Sequence, residues 1–65
     1  MEYSESALDL GNAWNTFDAL YGSKKDMARL THKDRISELT RICAQYNLSY
    51  KCFTILENRL LARSA

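Results

Sequence analysis

From Tyr3 onward, apolar side chains recur at Ala7, Leu10, Trp14, Phe17 and Tyr21, at spacings of 4, 3, 4, 3 and 4. That period places them on one stripe and predicts a first helix from about Glu5 to Tyr21. Leu8 and Ala19 fall off the stripe. Ser4 or Ser6 can cap the start, and Ser6 with Asp9 has the S-x-x-D form of a capping box. Gly22 is placed to stop the helix. Gly11, in its interior, costs on the order of 1 kcal/mol relative to Ala and suggests a close helix crossing.

A connector, Ser23 to Leu30, follows. Ser23-Lys24-Lys25-Asp26 reads as a cap for one short helical turn carrying Met27 and Leu30. Thr31 with Asp34 three residues on is a second capping signature, and it opens a second helix that runs to about Tyr46. Its apolar stripe is Ile36, Leu39, Ile42, Cys43 and Tyr46. Ser37, Glu38, Arg41 and Gln45 take the other face, with Glu38 and Arg41 paired at i,i+3. Asn47 tolerates the left-handed conformation after a helix, and Ser49 supplies a fresh cap. A third helix then runs from Tyr50 to Leu61 or a little beyond, with fraying expected at the chain end. Cys52, Phe53, Leu56 and Leu60 form its main stripe, flanked by Tyr50 and Leu61, while Ile55 points to nearly the opposite side.

These elements describe an all-α, three-helix small bundle, an N-terminal helix plus a helical hairpin, in a single domain over residues 1–65. A chain of 65 residues buries only about 60% of the surface that it exposes when unfolded. Small domains of this kind often need a staple or a partner. A disulfide is not expected, because Cys43 and Cys52 lie on apolar helical faces and read as reduced, buried thiols of a cytoplasmic protein. A zinc site needs four ligands, and two cysteines with the single His32 do not supply them. No metal or cofactor is expected, and completion of the bundle by dimerisation is. No apolar run approaches the ~20 residues of a membrane span.

Charge adds an asymmetry. Residues 1–22 hold Glu2, Glu5, Asp9 and Asp18 and no Lys or Arg, a net of −4. Residues 23–65 hold nine basic against four acidic residues, a net of +5, and the two sum to the overall +1. The simplest reading is an acidic first helix packed against a basic remainder. The sharper one gives the basic part an anionic partner.

The second helix, the Asn47-Leu48-Ser49 turn and the third helix resemble a helix-turn-helix. The matching places are Cys43, Asn47, Leu48, Ser49, Phe53 and Leu56, with Ile42 and Tyr46 behind, over about 20 residues. The resemblance implies that the start of the third helix enters the major groove. Tyr50, Lys51 and Thr54 would then face bases, with Arg41, Arg59 and Lys33 available to phosphate. Asn47 replaces the glycine commonest at the turn and Cys43 the usual alanine. Glu57 sits where phosphate would repel it.

No Gly-rich phosphate loop, nucleophile elbow, metal spacing or carboxylate pair occurs. His32, in the first turn of a helix with no nucleophile in view, reads as solvated. Cys52 lies beside Lys51 in a first helical turn, yet packing is its simpler role. The sequence therefore points to a non-enzymatic regulatory or adaptor protein acting by helix–helix association, either with itself as a homodimer or with another protein. The interface would use Leu10, Trp14, Phe17 and Tyr21 of the first helix, or Ile55 and Leu61 on the outer side of the third. The alternative is a dimeric helix-turn-helix DNA-binding regulator, with an RNA-binding helical hairpin as a third class. No membrane and no small-molecule substrate are expected.

Overall fold

The computed structural model describes residues 2–64, apart from the side chains of Lys24, Asp26, Met27 and Ser64. Three long helices and one short one make up the fold: α1 Ala7–Tyr21, α2 Lys24–Arg29, α3 His32–Gln45 and α4 Tyr50–Ser64. The three predicted helices are thus α1, α3 and α4. The expected helical turn in the connector is α2, although its Met27 packing and Asp26 cap lie outside the described residues.

Capping chemistry sets the helix starts. Thr31 and Asp34 form the complete reciprocal box: the Asp34 amide donates to Thr31 Oγ1 at 3.1 Å, and the Thr31 amide donates to Asp34 Oδ2 at 3.3 Å. At α1 the box is only half made. Asp9 N donates to Ser6 Oγ at 3.2 Å, but the Asp9 carboxylate accepts from the Ser4 hydroxyl instead, at 2.5 Å. Ser4 Oγ in turn accepts the Ser6 amide at 3.3 Å. The helix therefore begins at Ala7, two residues later than the apolar period suggests, because Ser4 has joined a different element.

That element is a strap of residues 2–5 laid against the α3–α4 turn. Ser4 N donates to Asn47 O at 2.8 Å, and Ser49 N donates to Ser4 O at 3.1 Å, a single parallel bridge between Ser4 and Leu48. Asn47 Nδ2 adds a bond to Glu2 O at 3.0 Å. The turn itself forms as predicted, with Asn47 at φ 55° in the left-handed region and Ser49 capping α4 through the Cys52 amide at 3.3 Å.

The contacts give the helix directions. Thr16 meets Tyr46 and Tyr21 meets Glu38, so α1 and α3 run antiparallel. Ser4 meets Cys52 near the start of α4, while Trp14, Asp18 and Gly22 meet Arg59 or Arg63 towards its end, so α1 and α4 run parallel. The body measures 36 × 17 × 17 Å. A 15-residue helix is about 22 Å long, so the long helices lie lengthwise.

Ala13, Phe17, Leu39, Ile42, Cys43, Leu48, Cys52, Leu56 and Leu60 form one buried cluster, and among the described residues no polar one is buried. Leu10, Trp14, Tyr21, Ile36, Tyr46 and Phe53 pack against it half-buried. The cluster draws on all three long helices, so it closes within one chain. Tyr3 and Ala7, the first two positions of the predicted stripe, lie outside it and are exposed.

Two glycines behave differently from each other. An added Cβ at Gly11 would meet nothing within 4 Å, so no helix crosses there, contrary to expectation. At Gly22 the same atom would lie 2.2 Å from Asp18 O. Glycine at the end of α1 is a steric requirement. The backbone there stays right-handed, at φ −78°.

Candidate functional site

The aromatic stripe of α1 faces inward. Phe17 is wholly buried and has no surface to offer a partner, which corrects its expected place in an interface. Leu10 packs against the core. Trp14 stacks on Phe17 at 5.7 Å between ring centroids, and its ring is covered by the Arg59 and Arg63 guanidiniums at 5.4 and 6.0 Å. Tyr21 donates its hydroxyl to Glu38 Oε2 at 2.6 Å, and that oxygen also accepts from Arg41 Nη2 at 2.7 Å. The Tyr21 hydroxyl, followed by the Arg41 guanidinium, holds the Glu38 carboxyl below its ordinary pKa. The same bond to Glu38 raises the Tyr21 pKa. These groups knit α1 to α3 and α4 within the chain.

The five residues expected to meet nucleic acid do not share a face. Arg41 is paired with Glu38 where α3 meets α1. Arg59 lies over Trp14, on the α1 side of α4. Tyr50 and Thr54 lie on another side of α4, at about 180° and 140° of helix rotation from Arg59. Ser49, before α4, meets the acidic strap, its Oγ donating to the Glu5 carboxylate at 3.3 Å, and Lys51 is exposed in the first turn of α4. The turn between α3 and α4 matches the motif locally, with Asn47 left-handed and Ser49 as the cap.

Among the described residues, the exposed large apolar ones are Tyr3, Leu8, Leu20, Tyr50, Ile55 and Leu61. Leu8 stands alone on the outer face of α1. Leu20 borders a shallow recess of about 200 Å³ with Tyr21, Arg29 and Leu30, smaller than the usual ligand pocket of about 300–1,000 Å³. On α4, successive residues advance by about 100°. Tyr50, Thr54, Glu57 and Leu61 therefore lie within a sector of about 60°, beside the buried stripe of Cys52, Leu56 and Leu60. Ile55 is about 140° from Tyr50 and belongs to the other flank. Ile55 and Leu61, expected to share an interface, are thus on separate sides. Tyr50 is 79% exposed and Leu61 46%. Phe53, half-buried at the edge of the strip, meets the Tyr50 ring at 6.1 Å. The spacing 50-54-57-61 is present in the sequence, where Tyr50 and Thr54 also fit the place of base contacts.

Cys43 and Cys52 are free thiols, each 4% exposed. Burial, with a smaller contribution from Cys52, pushes the Cys43 thiol up to about 11. It stays protonated at neutral pH and is a poor nucleophile. Among the described residues no three of His, Cys, Asp and Glu are grouped to hold a metal ion, and no helix is long and apolar enough to cross a membrane.

No protein-family model, curated protein or solved structure matches the chain.

Proposed function

We propose that this is a non-enzymatic cytoplasmic protein, regulatory or adaptor in character, that works by helix–helix association through the outer strip of α4. The observation that carries the reading is the contrast between a core already closed inside one chain and an exposed aromatic-aliphatic strip left over. Tyr50 and Leu61 sit one at each end of that strip, with Phe53 behind. Scattered single apolar residues are ordinary on a surface, but Tyr50 and Leu61 share one helical sector at the ends of the 4-3-4 spacing that helices use to pair, with Phe53 at its edge. The partner is a helix of another protein or of a second copy.

The DNA-binding reading is the weaker one, because Arg41, Lys51 and Arg59 form no continuous basic face and two of them are engaged within the chain. Amide NMR separates the two. Spectra recorded from low to high protein concentration should shift at Tyr50, Thr54, Glu57 and Leu61 where the partner is the chain itself. Titration with a short duplex at low salt should leave Arg41, Lys51 and Arg59 unmoved. Salt-dependent shifts at those three residues would overturn the association reading in favour of nucleic acid.

A further inference from the structure

Residues 2–5 are held to the α3–α4 turn differently from the way the helices hold each other. Their attachments to it are hydrogen bonds: Ser4 N to Asn47 O at 2.8 Å, Ser49 N to Ser4 O at 3.1 Å, Asn47 Nδ2 to Glu2 O at 3.0 Å and Ser49 Oγ to the Glu5 carboxylate at 3.3 Å. None of the four residues belongs to the buried cluster or to the half-buried side chains packed on it, and Tyr3 is 67% exposed. Lifting the strap therefore breaks bonds that water can replace, whereas opening a helix breaks the core.

Beneath the strap lies a thiol. Cys52 Sγ donates to Ser4 O at 3.8 Å, and the same carbonyl accepts from Ser49 N. Cys43 and Cys52 are each 4% exposed, so burial alone does not separate them. Their covers do. The strap's bonds reach Cys52 in the first turn of α4, while Cys43, in the last turn of α3, is packed within the core. Asn47 ties the strap down twice. Its left-handed backbone, at φ 55°, offers Asn47 O to Ser4 N, and its side chain holds Glu2 O. Glycine at this place keeps the backbone conformation and removes only the side-chain bond.

We infer that residues 2–5 form a latch that opens as a unit while the three-helix bundle stays folded, and that this opening uncovers Cys52 but not Cys43. The open form presents the Asn47 carbonyl and the Ser49 amide of the turn unpaired, beside the Cys52 thiol. The latch is independent of the outer α4 strip and of what docks there.

The test is alkylation of the full chain by N-ethylmaleimide, whose double bond takes up the thiolate sulfur and a solvent proton. Trypsin cuts after Arg41, Lys51 and Arg59, so the two thiols fall in separate peptides and mass spectrometry reads each rate. Cys52 should react at least about tenfold faster than Cys43, at a rate nearly flat in sub-denaturing urea. The Cys43 rate should climb steeply with urea, because it waits for global unfolding. Asn47→Gly should speed Cys52 by a factor of roughly 2–10, equivalent to one ordinary hydrogen bond. Hydrogen exchange at the Ser49 amide, which donates to Ser4 O, should quicken by the same factor, with the Leu56 amide still strongly protected. Two thiols labelled with the same urea dependence would overturn the latch, since only global unfolding then reaches either. A Cys52 rate unmoved by Asn47→Gly, or out of step with Ser49 exchange, would overturn residues 2–5 as its cover.

Discussion

The two sides of α4 carry nearly the same chemistry and do opposite things. The inner stripe, Cys52, Leu56 and Leu60, is buried against α1 and α3, and the outer strip, Tyr50, Thr54, Glu57 and Leu61, faces out. Both contain large apolar residues at helical spacing. What divides them is polarity: the inner stripe has no hydrogen-bonding side chain except a thiol, while the outer one interleaves a hydroxyl and a carboxylate. A fully buried side needs every polar group partnered. A side that is sometimes covered and sometimes wet tolerates groups that water can satisfy.

The comparison breaks first at Leu56. Leu56→Ala on the buried side should cost about 2–5 kcal/mol, against a total of roughly 3–10 kcal/mol for a domain this size. Circular dichroism should show a largely unfolded or strongly destabilised chain. Next is Gly22→Ala, where the new Cβ collides with Asp18 O and shifts the backbone of residue 22, whose own carbonyl accepts from Arg63 Nη2 at 2.7 Å. A loss of about 1–3 kcal/mol in thermal denaturation is expected. Asn47→Ala should cost about 1–2 kcal/mol, because alanine resists the left-handed conformation. Asn47→Gly should cost less, though it loses the bond to Glu2 O.

Alkaline pH acts on the buried core through Cys43 of α3. An unfolded cysteine loses its proton near pH 9, whereas Cys43 holds its own to about 11. Between those values the folded state binds the extra proton, so stability falls as pH rises through this window. The raised Tyr21 hydroxyl acts in the same direction. Urea midpoints measured from pH 8 to 11 should decline, and more shallowly in Cys43→Ala than in the wild type. Smallest of all is Leu61→Glu on the outer strip, which should change stability by no more than about 0.5 kcal/mol. An effect as large as that of Leu56→Ala would mean that the two sides are not distinct.

Much of this fold was legible beforehand, for identifiable reasons. Thr31 with Asp34, and Asn47 with Ser49, announce helix ends through local hydrogen bonding, and each does so in the structure. The stripes of α3 and α4 were read correctly because a single period governs their buried side. The start of α1 was not, because Ser4 leaves the helix to bridge the distant turn at Leu48, a pairing 44 residues away that no local pattern encodes. Gly11 was assigned a crossing that the bundle does not make. Of the candidate interface, Leu61 is legible in the sequence and the strip as a whole is not. Helical period alone cannot say which of two adjacent stripes is covered, since that depends on where the neighbouring helices lie.

The most direct measurement is sedimentation velocity over a concentration series from micromolar to near-millimolar, run on the wild type and on Leu61→Glu. The wild type should move from monomer toward dimer with rising concentration. Leu61→Glu should remain a monomer throughout, with an unchanged unfolding midpoint. A wild type and a variant that associate identically would contradict the assignment of the outer α4 strip as the docking surface.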